Sequence, residues 1–282
     1  MRWNPGGTSD DVEDRRGDSG GCVRLGLGGI LILGVLSLLF KTNFFSLLRG
    51  GGGTASVDQP GMTQSRPVDD PKEQKEVQFV SFVLDDAQNT WTQILPKYGA
   101  EYRHAKLVLF RDAIQSGCGY AQSATGPFYC PADEKVYIDL SFYDELKRRF
   151  GAPGEFAQAY VLAHEVGHHV QKIIGVESKV RQLQSGNPGA ANRLSVAMEL
   201  QADCFAGVWA HSTQQRGLLD PGDVESALKA AAAVGDDHIQ QMTRGRVQPE
   251  TFTHGSSQQR MDWFNKGLDS GSIAACNTFS QQ

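Results

Sequence analysis

AYVLAHEVGHHV, residues 159–170, decides how the rest of the chain is read. Phe156, Ala159, Tyr160, Ala163, Val166, Gly167, Val170 and Ile174 are small or apolar and recur at helical spacing, which predicts a buried helix from about Pro153 to Ile174, closed by Gly175. Within it stands His164-Glu165-x-x-His168. Residues four apart share one helix face, so both imidazoles can meet one metal ion. Glu165 sits one step round, where a carboxylate can take a proton from a metal-bound water. Imidazoles inside a buried helix need partners, and a metal is one.

A catalytic zinc takes three protein ligands and keeps one position open. Gln171 stands where the metzincin pattern would continue, so the third ligand must come from elsewhere. ELQAD, residues 199–203, lies on the next helical stretch, about Ala191 to Gln214. Glu199 and Asp203 are four apart and share a face. The expectation is that Glu199 ligates the metal while Asp203 accepts the free N–H of a ligating histidine and fixes its tautomer. The swap, with Asp203 as ligand, stays open. His169 points about 100° away from His168 and cannot share the ion. His211 suits a helix C-terminus. Asp236, Asp237 and His238 read as a polar cluster at a helix end, and His104 precedes a strand.

The chain has 282 residues and a net charge of −5, with no basic stripe, which argues against a nucleic-acid partner. Residues 1–21 are polar and charged and are expected to be disordered. LGLGGILILGVLSLLF, residues 25–40, carries no charge and lies between Arg24 and Lys41. The expectation is one uncleaved transmembrane anchor over residues 22–48, followed by a Gly/Pro/Ser/Asp linker over 49–76 and a folded domain over 77–282. Arginines before the anchor favour a cytoplasmic N-terminus. That would put the domain on the far side of the inner membrane, in the periplasm or its equivalent.

Within the domain, Val77 to Leu95 has helical periodicity, Tyr102 to Arg111 reads as a strand, and GPFYCPADEKVYIDLSF (126–142) reads as a β-hairpin turning at 131–134. Ser178 to Asn187 reads as a polar connection. Helices are expected over Asp223 to Val234 and His254 to Gly267. None of the five cysteines forms C-x-x-C. Cys118 and Cys130 bracket a short loop and are expected to bridge in an oxidising compartment, the setting the anchor implies. A Cys204–Cys276 bridge would tie the tail to the Glu199 helix; sequence leaves that pairing open.

HEVGHH, ELQADCFAGVW, THGSSQQRMDWF and GPFYCPADEKVYID together resemble the bacterial neutral zinc metallopeptidase family of single-pass membrane proteins, over nearly the whole chain. The His-Glu-x-x-His and Glu-x-x-x-Asp pairing is also similar to gluzincins more widely. The resemblance implies an α+β, mainly helical zincin-like domain with a small antiparallel sheet, a Zn2+ cofactor and peptide-bond hydrolysis. In related membrane gluzincins a histidine and an arginine six positions on form a further motif. His254 and Arg260 match that spacing, with Gly255 in place of the usual proline. His254 is thereby implied as a donor to the oxyanion of the reaction. The function expected is that of a membrane-anchored zinc endopeptidase acting on protein or peptide substrates, some of them membrane-associated, with Glu165 as general base and substrate added to the hairpin edge. The alternatives are a zinc-stabilised binding domain without catalysis, or a zinc hydrolase of a non-peptide amide such as a cell-wall bond.

Overall fold

The computed structural model describes residues 1–18, 70–148 and 154–281. Strand β1 (Val12–Asp14) comes first. Helix α1 (Pro71–Ile94) starts where Asp70 accepts the Lys72 amide at 2.8 Å and Pro71 supplies a first residue that needs no donor. Strands β2 (Lys106–Phe110), β3 (Ala113–Ser116), β4 (Gly119–Gln122), β5 (Phe128–Cys130) and β6 (Lys135–Asp139) follow. The remaining helices are α2 (Ser141–Arg148), α3 (Glu155–Ile173), α4 (Val176–Gly186), α5 (Ala191–Gln215), α6 (Asp223–Ala233), α7 (Asp236–Arg244) and α8 (Ser257–Ser270).

Helix predominates and the sheets are small, consistent with the expected α+β class. The main sheet runs β1-β2-β6-β5. It corrects the expectation of an antiparallel sheet: β1 with β2, and β2 with β6, are parallel, and only β5 with β6 is antiparallel. The predicted 126–142 hairpin is the β5–β6 pair. β3 and β4 form a separate antiparallel ribbon. Alternation along the strands sorts the sheet's two faces. Leu107, Leu109, Val136 and Ile138 face the main core of α1, α3, α5, α6 and α8, while Val108, Phe110, Tyr137 and Cys130 form a smaller cluster behind.

Further expectations are corrected. Residues 1–21 were expected to be disordered, but residues 1–18 are ordered and 1–17 join 69–282 in one compact unit. Their charges mislead because they are matched across the fold: Asp11 meets Lys106 and Glu13 meets Lys135. The linker was expected to reach 76, but α1 begins at Pro71. The polar 178–187 stretch is helix α4 for most of its length, with Val180 its one buried residue. The expected anchor, 22–48, lies outside the described residues. Among the described residues no helix is long and apolar enough to cross a membrane.

Two close helix crossings bring the chemistry together. A Cβ on Gly167 of α3 would lie 3.0 Å from the Ala202 carbonyl of α5, so glycine lets the two backbones meet. A Cβ on Gly267 of α8 would lie 1.9 Å from the Cys204 carbonyl, also on α5. Cys204 and Cys276 are bridged, as are Cys118 and Cys130. The first bridge fixes the tail on α5, where Gln201 Nε2 donates to the Cys276 carbonyl at 2.9 Å.

Candidate metal centre

Helix α3 carries His164, Glu165 and His168, and α5 carries Glu199 and Asp203. Their crossing at Gly167 sets one ligand group: His164, His168 and Glu199 offer ligand atoms within 4.8 Å of one another. His164 Nε2 lies 3.2 Å and His168 Nε2 3.5 Å from the Glu199 carboxylate. Each imidazole is oriented from its other nitrogen. Nδ1–H of His164 donates to Asp203 at 2.8 Å, and Nδ1–H of His168 donates to the Gln171 side-chain carbonyl at 2.9 Å. Both Nε2 atoms are thereby turned toward Glu199, so that the same side of each ring could meet one metal ion. Gln171 is itself held by the Met198 carbonyl, to which its Nε2 donates at 2.8 Å.

The electrostatics of the cluster call for a cation. Burial opposes charge on His164, but the Asp203 carboxylate, helped by Glu199, outweighs it and raises the ring's pKa to about 10. Burial likewise opposes ionisation of Glu199, yet His168, His164 and Arg260 hold its carboxyl well below the usual range. Asp203 is fully buried; Arg260 and His164 overcome that desolvation and hold its pKa near 2. A proton or a metal can satisfy this group, and two imidazoles plus one carboxylate with no nearby thiolate is the donor set of an open zinc site.

Arg260 is 3% exposed and bidentate on Asp203, with Nε at 2.8 Å and an Nη at 2.9 Å. Tyr160 donates its hydroxyl to the same carboxylate at 2.5 Å. Arg260 is thus a structural partner that fixes the group orienting His164. Its guanidinium also borders the cleft.

The cleft has a volume of about 930 Å³. Glu165, 7% exposed, lies on its wall between the two histidines in sequence. His254 reaches the same cleft from the loop before α8 and is half exposed. Sequence reading missed what holds it. Asp236, at the start of α7, accepts the backbone amides of Thr253, His254 and Gly255 at 2.7, 2.6 and 3.0 Å. Its other oxygen lies 3.2 Å from His254 Nδ1. That hydrogen bond, against the cost of burial, raises the His254 pKa above its ordinary value. The only sequence signal was the Asp-Asp-His cluster, read there as a helix end.

His169 stays off the metal side, as its helical angle predicts. It is fully buried, donates from Nε2 to the Arg103 carbonyl at 2.6 Å, and accepts from the Tyr129 hydroxyl at 2.9 Å. Tyr129 belongs to edge strand β5 and lines the cleft, so His169 ties that edge to the helix carrying the ligands.

A family model described as "Putative neutral zinc metallopeptidase" matches residues 1–279. The chain belongs to this family. It is 50% identical to the uncharacterized protein YpfJ of Escherichia coli, with 100% of this chain and 99% of that protein aligned. It is 45% identical to an uncharacterized protein of Mycobacterium tuberculosis over 67% of this chain and 66% of the relative. No solved structure matches. Family membership implies zinc, and the His164, His168 and Glu199 group fits it.

Proposed function

We propose that this chain is a zinc-dependent endopeptidase, with His164, His168 and Glu199 as metal ligands, Glu165 as general base and Asp203 orienting His164. The observation that carries the reading is the pair of imidazoles, each turned from Nδ1 so that Nε2 faces Glu199, on the wall of a cleft that also holds Glu165. Bound zinc supplies Lewis acidity, polarising a carbonyl and making water a better acid. Glu165 receives the proton of the attacking water and passes it to the leaving amine. His254, whose charged form Asp236 favours, donates to the oxyanion that forms as the amide is attacked. β5 is the free edge of its sheet beside the cleft, which supports binding of an extended peptide by main-chain pairing. That mode suits unstructured protein segments.

The apolar run at 25–40 supports attachment to the inner membrane, and the two disulfides favour a body facing away from the cytoplasm.

Glu165→Gln tests the base directly. It is expected to keep full zinc content and to lose hydrolysis of an unfolded protein substrate by roughly 10²–10⁴-fold. Undiminished turnover in that variant removes Glu165 from the mechanism. Glu199→Ala is expected to lower zinc stoichiometry by atomic absorption; unchanged metal content places the third ligand elsewhere.

A further inference from the structure

Residues 1–17 and 69–282 form one compact unit, and the chain between them holds the apolar run Leu25–Phe40. The two points where that intervening chain leaves and rejoins the unit are neighbours. Val12, Glu13 and Asp14 pair in parallel with Leu107, Val108 and Leu109 of β2. The Leu107 amide donates to the Asp11 carbonyl and the Arg15 amide donates to the Leu109 carbonyl, each at 2.8 Å. Just past the strand, Arg16 is 4% exposed and donates to Glu73 at 2.8 Å, in the first turn of α1. Upstream, Trp3 packs edge-on against Phe79 of α1 at 5.3 Å and donates to Glu155 of α3 at 2.9 Å. The whole N-terminal segment is therefore built into the body that carries the candidate metal centre.

One crossing of a bilayer puts the residues before it and the residues after it on opposite sides. Under that arrangement β1 cannot reach β2 in its own chain. A second copy in the same orientation offers no remedy, because its β2 lies on the same far side. Opposed sides would also part Asp11 from Lys106 and Glu13 from Lys135.

We infer that Met1–Gly17 and the metallopeptidase body lie on the same side of the membrane to which the chain is attached. The inference rests on the membrane attachment proposed above and is independent of the catalytic reading. The two disulfides point to the oxidising side.

Single-cysteine labelling tests it in the full chain. With Cys22→Ser as background, Thr8→Cys and Lys97→Cys each place one thiol at an exposed position, on either side of the run in sequence. Retained zinc content verifies folding of both variants. Intact spheroplasts are treated with a membrane-impermeant maleimide, and lysed spheroplasts give the full signal. Equal labelling of both positions in intact spheroplasts is expected. Equal shielding of both also supports the shared side, and moves that side to the cytoplasm. Labelling of one position with shielding of the other overturns the inference. Recovery of the chain in the soluble fraction, without detergent, overturns the membrane attachment and the inference with it, and leaves the zinc reading standing.

Discussion

Asp236 gives His254 both its place and its charge. One carboxylate oxygen gathers three successive amides while the other faces the ring, so the loop and the imidazolium depend on a single side chain. The groups that set the ring's charge are Asp236 and Glu199, which favour it, and Arg260, which opposes it. The signs follow from the two shifts. His254 is raised, so its contribution is complete below its ordinary value of 6.5 and is lost as pH climbs through the folded pKa. Asp236 is lowered against the cost of its burial, so its contribution is complete above 3.8 and is lost as pH falls through the folded pKa. Asp236→Asn is therefore expected to move the alkaline limb of the kcat profile to lower pH, with zinc content and KM held. An unmoved limb excludes the imidazolium as donor. This part of the site was closed to sequence reading, because eighteen residues separate Asp236 from His254 and only the packing of α7 beside the loop joins them. Gln171 was missed for another reason. Its partner His168 is three residues away, but nothing in the residue types says which nitrogen the amide will hold. The ligands were legible because i, i+4 spacing fixes a face before any tertiary contact is known.

At the scale of elements, α5 is where the fold and the site meet. It takes α3 against Ala202, α8 against Cys204 and the tail through the Cys204–Cys276 bridge. These contacts occupy the same turns that carry Glu199 and Asp203, so the helix spacing also sets the distances within the ligand group. Gly267→Ala puts a methyl into the Cys204 carbonyl and forces α8 away from α5. The expected cost is about 1–3 kcal/mol in thermal or denaturant unfolding, together with a fall in zinc affinity as Arg260 draws off Asp203. Asp269→Ala, two residues on and exposed, is expected to change neither. Wild-type zinc binding in Gly267→Ala would separate the α5–α8 spacing from the site. The long helices were legible from their apolar periodicity. α4 was not, because it buries Val180 alone and shows no stripe. The order of the sheet was not legible either: parallel pairing of β2 with β6 joins strands whose connection carries the β3–β4 ribbon and β5, and no local pattern records it.

For the molecule as a whole, the N-terminal segment is the part that sequence most misrepresents. DDVEDRR, residues 10–16, looks like a solvated run because six of its seven residues are charged. In the fold those charges are distributed by position. Asp11 meets Lys106 and His104, Glu13 meets Lys135, and Arg16 turns inward between Asp14 and Glu73. The two adjacent arginines are chemically alike and structurally different. Arg15 is partly exposed and pairs with Glu13 of its own segment. Arg16 is buried, and its hydrogen bonds at 2.8 and 2.9 Å join the exit from β1 to the start of α1. Arg15→Ala is expected to change stability by no more than about 0.5 kcal/mol, as an exposed ion pair should. Arg16→Ala removes a buried charge from beside Glu73. Arg111 also reaches that carboxylate, at 2.5 Å, and limits the loss, so the expected cost is about 1–3 kcal/mol. The loss should be local before it is global, because β1 is an edge strand three residues long. Limited proteolysis of Arg16→Ala under native conditions is expected to cut first near β1 while the α3–α5 body persists, and Arg15→Ala should resist as wild type does. Equal resistance in both variants would show that the strand, not the Arg16–Glu73 pair, holds the N-terminus in place.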